Sequence, residues 1–199
     1  MGAGECILAL PERIPPLQNV RSTLVIAGIA ANKEEGDYAR YTLALPEEHR
    51  AALLSQVAGT WLPLSLAAEH YRACDSLGYA PDHQIARGRR AIDRFGSSVY
   101  GTAARTVQHA GATPWSFLPQ FPRFWSRAYD GAAPAIYKLG PKEALVDVVG
   151  SPLLEIPYYR HALQGWVTGM IELFCAKLYV RAEKNTAGPH SFRVRAQWV

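Results

Sequence analysis

Residues 157–174 read PYYRHALQGWVTGMIELF, and residues 176–198 follow as AKLYVRAEKNTAGPHSFRVRAQW. In the second segment, apolar and polar residues alternate on both sides of a turn at residues 185–188, a pattern typical of two antiparallel strands. In the first segment, large apolar side chains recur at the spacing of a helix with one buried face: Tyr159, Leu163, Trp166, Met170 and Phe174. We therefore expect a long helix followed by a β-hairpin.

A second hairpin is expected before this helix. Residues 135–139 and 144–149 are rich in β-formers, and the pair Gly140-Pro141 between them is a turn signal. The C-terminal third is then β-β-α-β-β. Upstream, helical periodicity dominates, with helices expected over about 46–58, over 62–77 and from residue 82 onward, and the β-branched run 21–28 is interpreted as a strand. The fold class is α+β.

The composition is that of a globular domain. The chain has 199 residues, of which 49% are hydrophobic and 19% charged, so we expect one domain over residues 1–199 with an irregular segment over residues 1–20. The three cysteines form no close pair, which argues against a disulfide scaffold or a zinc knuckle. No apolar run approaches the ~20 residues of a membrane span, and the N-terminus lacks signal-peptide features. A cytoplasmic location is therefore expected.

The excess of positive charge lies in the C-terminal half of the chain. Lys177, Arg181, Arg193 and Arg195 alternate outward on the final hairpin, so they would share one face of the sheet and form a cationic patch if that face is exposed. No helix-turn-helix, zinc-finger or RNA-binding signature accompanies them. Nucleic acid is therefore not the expected partner.

Motifs for catalysis and metal binding are missing from the sequence. There is no Gly-x-Ser-x-Gly elbow, no glycine-rich phosphate loop and no His-x₃-His pair. His70 and Cys74 stand four residues apart in a predicted helix, and such a pair is more often ordinary core packing than a metal site. A non-enzymatic protein without metal or cofactor is favoured, and an enzyme whose site is assembled from dispersed residues is the alternative.

Residues 113–129 are dense in aromatic residues and prolines, so short helical turns are expected there rather than one long helix. The aromatic side chains could line a ligand pocket, form core or contact a partner protein. Gly165 and Gly169, with Ala162, predict close packing of the long helix on another element, or a homodimer contact. The candidate ligand-binding residues combine both regions: Trp115, Phe121, Trp125, Tyr129, Tyr159 and Trp166.

Several segments between residues 20 and 199 resemble a myxobacterial domain family of unknown function. They are YRHALQGWVTG at 159–169, FRVRAQW at 192–198, PRFWSRAYDG at 122–131, Leu45-Pro46 and WLPL at 61–64. That family is similar to a wider fold group with the heme-nitric-oxide-binding (H-NOX) domain, the 4-vinyl-reductase-like domain and the TRAPP subunits. The resemblance implies a helical part packed on a twisted antiparallel sheet, with a hydrophobic ligand pocket in several members.

The resemblance to the H-NOX branch suggests heme as a candidate cofactor. The H-NOX branch binds heme through one helical histidine, and His109 lies near the end of a helical pattern. That branch also holds the heme propionates with a Tyr-x-Ser-x-Arg motif. The most similar segment of this chain, Phe124-Trp-Ser-Arg127, lacks the spacing of that motif. The leading hypothesis is therefore a domain that binds a hydrophobic small molecule or a protein partner without a cofactor. A heme-based gas sensor using His109 is the alternative.

Overall fold

A computed structural model describes residues 4–96, 112–184, 186 and 188–199. His109 and the helical pattern expected beyond residue 96 lie outside these residues, as do the side chains of residues 93–96. The helices of eight or more residues are α1 (Ser22–Glu34), α3 (Glu47–Leu54), α4 (Leu64–Asp75), α5 (Pro81–Gly96), α7 (Phe121–Ala128) and α8 (Pro157–Glu172). The shorter helices are α2 (Tyr38–Ala44) and α6 (Pro114–Phe117), with 3₁₀ turns over Leu118–Gln120 and Pro152–Glu155.

The main sheet has five antiparallel strands in the order β1-β5-β6-β8-β7. The ranges are β1 (Glu5–Leu8), β5 (Ala133–Gly140), β6 (Glu143–Val149), β7 (Leu178–Ala182) and β8 (Ser191–Trp198). Three short strands, β2 (Asn19–Arg21), β3 (Trp61–Pro63) and β4 (Tyr129–Asp130), form a second sheet with β2 in the middle. The α+β class and the C-terminal β-β-α-β-β unit are confirmed.

The long helix α8 buries the predicted stripe. Tyr159, Leu163, Trp166 and Met170 are all buried, while Phe174 lies just beyond the helix end, half-buried and stacked on Phe117. The aromatic segment folds as expected into two short helices joined by a 3₁₀ turn. A proline occupies one of the first two positions of each of these three pieces, where it costs no intrahelical hydrogen bond.

The interpretation of residues 21–28 as a strand is wrong. Strand β2 ends at Arg21, and helix α1 begins at Ser22, whose hydroxyl donates a hydrogen bond to the Val57 carbonyl. The run Leu24-Val25-Ile26 is continuously apolar, and such a run does not distinguish a strand from a buried helix. The N-terminal segment, expected to be irregular, contributes β1 and β2 to the two sheets.

The prediction of a cationic patch on the final hairpin is also wrong, because Arg193 and Arg195 are paired with carboxylates. Arg193 lies opposite Asp147 of β6 and forms an ion pair with it, and Arg195 contacts Glu143 and Glu183. The outward face of this sheet therefore carries alternating charges that are paired with one another.

Helices α5 and α8 cross at backbone contact, which confirms the close approach expected from Gly165 and Gly169. A Cβ atom at Gly165 would overlap the carbonyl oxygen of Ile85, and one at Gly88 of α5 would overlap the carbonyl oxygen of Ala162. Small residues from both helices make this approach possible. This face of α8 is therefore occupied within the chain.

Replacing these glycines gives a graded prediction. Gly165→Ala should lower the free energy of unfolding by about 3 kcal/mol, because two helix backbones must separate. Gly169→Ala should cost less, about 1 kcal/mol, because a Cβ there would lie 3.0 Å from Ile92 Cγ1 and 3.2 Å from the Arg89 carbonyl oxygen, a tight contact without overlap of the two backbones. Urea unfolding monitored by circular dichroism measures both. A gain of about 1 kcal/mol from helix propensity at Gly165 would contradict the packing.

Candidate functional site

A cavity of about 70 Å³ lies between helices α1, α4, α5 and α8. It reaches the surface at the exposed side chains of Glu34 and Arg90. Its wall is mostly aromatic and apolar, with three buried nitrogen-bearing side chains, His70, Arg87 and Trp166. The other lining residues are Leu24, Ala27, Gly28, Ala31, Tyr71, Gly88, Ala91, Tyr129, Tyr158, Tyr159, Ala162 and Leu163.

Arg87 is the buried cation of this cavity. Its residue is 4% exposed, and its Nη2 donates hydrogen bonds to Asn32 Oδ1 and to the Gly28 carbonyl of α1. The guanidinium also lies over the ring of Tyr79, with Cζ 4.8 Å from the ring centre. Nε and Nη1 have no hydrogen-bond acceptor among the described residues. Three of the five N–H groups of the guanidinium are therefore buried and unmatched.

His70 is the buried imidazole of the cavity wall. Its Nδ1 lies 2.8 Å from the Tyr41 hydroxyl, and its Nε2 lies 3.8 Å from Cys74 Sγ. Burial, followed by the charge of Arg87, lowers the pKa of His70 to about 3. Gly28 makes room for the ring, because a Cβ there would lie 2.6 Å from Nε2. His70 is therefore neutral at physiological pH.

The neutral His70 should make the protein acid-sensitive. Below pH 6.5 the unfolded chain protonates this histidine, whereas the folded chain does not until about pH 3, so stability falls as the pH drops between these values. Wild type should lose about 2 kcal/mol from this residue between pH 7 and pH 5. Urea unfolding at several pH values tests this, with His70→Gln expected to lose correspondingly less over the same interval. Parallel pH curves for the two proteins would contradict it.

Buried tyrosines form the aromatic part of the cavity wall. The rings of Tyr71 and Tyr159 meet edge to face at 4.8 Å between centres, and Tyr129 meets Trp166 in the same way at 6.4 Å. Burial raises the pKa of all the tyrosines here, that of Tyr159 to about 12, so their hydroxyls stay protonated. The Trp166 indole Nε1 is buried without an acceptor among the described residues.

The structure brings half of the sequence-predicted candidates to the cavity. Tyr129, Tyr159 and Trp166 line it. Phe121 and Trp125 form a layer behind them: Trp125 stacks on Tyr129 at 4.2 Å, and Phe121 contacts Trp166 edge to face at 5.7 Å. Trp115 is not a lining residue; its Nε1 donates to the Pro141 carbonyl, and its ring packs on Trp198.

Sequence reasoning missed Arg87 and His70 as parts of a site. Among the described positions of α5, Gln84, Arg87, Gly88 and Ile92 are buried, whereas the apolar side chain of Ile85 is only half-buried. These positions are buried because α5 packs on α8 through Gly88 and through the backbone of residue 85. The spacing of Gly88 and Ile92, four residues apart in α5, was the sequence feature that could have indicated the buried face of this helix.

Neither a metal-binding cluster nor a membrane-spanning helix occurs in the part of the chain that the structure describes. No group of three or more histidine, cysteine, aspartate or glutamate side chains there could hold a metal ion. No helix among those residues has the length and apolar character needed to cross a membrane.

Solved structures of H-NOX proteins are similar to this chain. The Fe(II) unliganded H-NOX protein from K. algicida has a TM-score of 0.64 at 9% identity, covering 90% of this chain and 96% of that one. An oxygen-binding H-NOX domain related to soluble guanylate cyclases gives 0.55 at 13% identity, covering 89% and 94%. A mutant of T. tengcongensis H-NOX gives 0.56 at 12%, covering 89% and 97%. The sequence matches no family model and no curated protein. The chain therefore has the H-NOX fold.

The described residues do not fit a heme. A cavity of about 70 Å³ is well below the roughly 150 Å³ in which a protein holds benzene, and a porphyrin is far larger. Backbone contact at Gly88 and Ala162 leaves no gap between α5 and α8 for a flat ring. Of the described histidines, His70 alone lines the cavity, and both of its nitrogens already face Tyr41 and Cys74.

Proposed function

We propose that this protein is a non-enzymatic sensor domain that binds a small molecule directly in the cavity between α1, α4, α5 and α8. The observation that carries the proposal is an aromatic-walled cavity holding a buried guanidinium with unmatched N–H groups. Ligand pockets typically combine such an apolar wall with a few polar groups that orient the ligand. A ligand there would contact four helices at once, so its presence would change how they pack.

The titratable groups of the cavity wall support a binding role rather than catalysis. Burial raises the pKa of the neighbouring Cys74 thiol to about 11, which keeps it from acting as a thiolate nucleophile. The pKa of His70 is too low for an efficient general base near neutral pH. A binding site needs neither group to be reactive.

Cavity filling tests the proposed function. Native mass spectrometry of the purified protein should detect a co-purifying small molecule, and thermal-shift screening should find ligands that raise the melting temperature. Ala31→Leu places a larger side chain in the cavity wall and should abolish both signals, whereas Ala30→Leu, on the same helix but outside the lining, should preserve them. Ligand signals that survive Ala31→Leu would contradict the proposal.

A heme-based gas sensor using His109 is the second candidate, and the likeness to H-NOX structures is what favours it. Adding hemin to the purified protein and removing the excess separates the two functions. A Soret band that His109→Ala abolishes would establish the heme sensor. Absence of that band, together with ligands excluded by Ala31→Leu, supports direct binding.

A further inference from the structure

We propose that the ligand is a short-chain monocarboxylate whose oxygens accept hydrogen bonds from Arg87. This inference rests on the proposed function, because it specifies the chemistry of the same cavity. It starts from the hydrogen-bond donors that the cavity wall leaves unmatched. Arg87 Nε and Nη1 and the Trp166 indole Nε1 are buried and have no acceptor among the described residues.

Both side chains can only donate. Neither a guanidinium nor an indole N–H carries an acceptor, so a group that satisfies them must supply lone pairs. Burying such donors unpaired is costly, and protein interiors rarely leave them so. The matching ligand group is therefore an oxygen acceptor, and a carboxylate matches the charge of the guanidinium as well as its hydrogen bonds.

The nearest protein carboxylate does not satisfy Arg87. Glu35 Oε2 lies 3.7 Å from Arg87 Nη1, beyond hydrogen-bond distance. The same carboxylate binds Arg90 through Oε1 at 2.5 Å and His83 through Oε2 at 2.9 Å. Its oxygens are thus committed to hydrogen bonds with Arg90 and His83, and Arg87 Nε and Nη1 keep no hydrogen-bond acceptor among the described residues.

The size and the wall of the cavity restrict the rest of the ligand. A volume of about 70 Å³ corresponds to about five water-sized positions. Leu24, Leu163 and the tyrosine rings offer apolar contact to a short alkyl chain, and the second arginine of the lining, Arg90, lies at the surface and is paired with Glu35. Acetate, propionate and butyrate meet these conditions, whereas benzoate is too large.

Isothermal titration calorimetry with propionate and its neutral isostere propionamide tests the inference, at constant ionic strength set with chloride. Propionate should bind wild type at least tenfold more tightly than propionamide does, and benzoate should not bind. Arg87→Met should weaken propionate binding about tenfold to a hundredfold and propionamide binding by a smaller factor, because propionate alone also loses the attraction between opposite charges. Ala31→Leu should abolish binding of both, and Ala30→Leu should leave both unchanged.

The remaining outcomes separate this inference from the proposed function. Equal binding of propionate and propionamide, both blocked by Ala31→Leu, overturns the carboxylate and keeps a small-molecule site. Propionate binding that Ala31→Leu leaves intact places the site elsewhere and overturns the inference. If neither these compounds nor a wider thermal-shift panel binds, both proposals fail and the cavity holds water. If Arg87→Met does not fold, the inference is still tested by the ratio of propionate to propionamide affinity in wild type and by the variants Ala31→Leu and Ala30→Leu.

Discussion

Arg193→Glu is expected to lower the free energy of unfolding by about 3–5 kcal/mol. Arg193 and Asp147 are cross-strand partners on β8 and β6, with Nη2 2.5 Å from Oδ2. The Asp147 side chain is only 3% exposed, so water has little access to its carboxylate and Arg193 is its ion-pair partner. A glutamate at residue 193 would leave a buried carboxylate unpaired and place a second one opposite it.

Urea unfolding followed by circular dichroism measures this cost against two controls. Arg181→Glu changes a side chain that is 68% exposed on the edge strand of the same sheet, and it should cost about 0.5 kcal/mol or less. Adding Asp147→Asn to Arg193→Glu should recover part of the loss, because one of the two facing charges is removed. An unchanged midpoint for Arg193→Glu would mean that Asp147 is hydrated rather than paired.

Alternation along β8 correctly predicted which side chains share a face, but not what covers that face. The period of two in Ser191–Trp198 is a local property, so sequence alone was enough to place Arg193 and Arg195 together. Their partners Asp147, Glu143 and Glu183 come from other strands, and only the register of the folded sheet brings them opposite.

Local periodicity also explains where fold prediction succeeded and failed. The stripe on α8 and the turn at Gly140-Pro141 are contained in short windows of sequence, and both predictions were confirmed. The first helix lacks such a signal, because its buried positions include Ser22 and Asn32, which a hydrophobic pattern does not count. There, contacts with distant residues such as Val57 decide between strand and helix.

The cavity could not be predicted from sequence for a related reason. Its wall draws on four helices that are separated by up to about 140 positions along the chain, and its central charge looks in sequence like a surface arginine. Arg87 is buried because Asn32 and the Gly28 carbonyl receive its Nη2 and because Tyr79 lies beneath it. Tyr129, Tyr159 and Trp166 could be proposed from sequence only because they are aromatic and belong to the aromatic segment or to the apolar stripe of the long helix.

Trp166→Ala is expected to lower the free energy of unfolding by about 3–5 kcal/mol, the usual cost of removing a large buried aromatic side chain. Trp166 is 6% exposed and contacts Phe121, Trp125 and Tyr129 through ring centres at most 6.4 Å away. Trp61→Ala is the matched control, since Trp61 is 40% exposed and lies under Arg21, whose Cζ is 3.7 Å from the ring centre. It should cost about 1 kcal/mol or less.

Removing the Trp166 side chain should also enlarge the cavity that it lines, and this second effect distinguishes a cavity wall from ordinary core. Indole matches the deleted side chain in shape, so it should bind Trp166→Ala and raise its urea midpoint in proportion to the logarithm of indole concentration. Wild type and Trp61→Ala should show no such shift. A cost below about 1 kcal/mol for Trp166→Ala, or an equal response to indole in all three proteins, would contradict the placement of Trp166 between the core and the cavity.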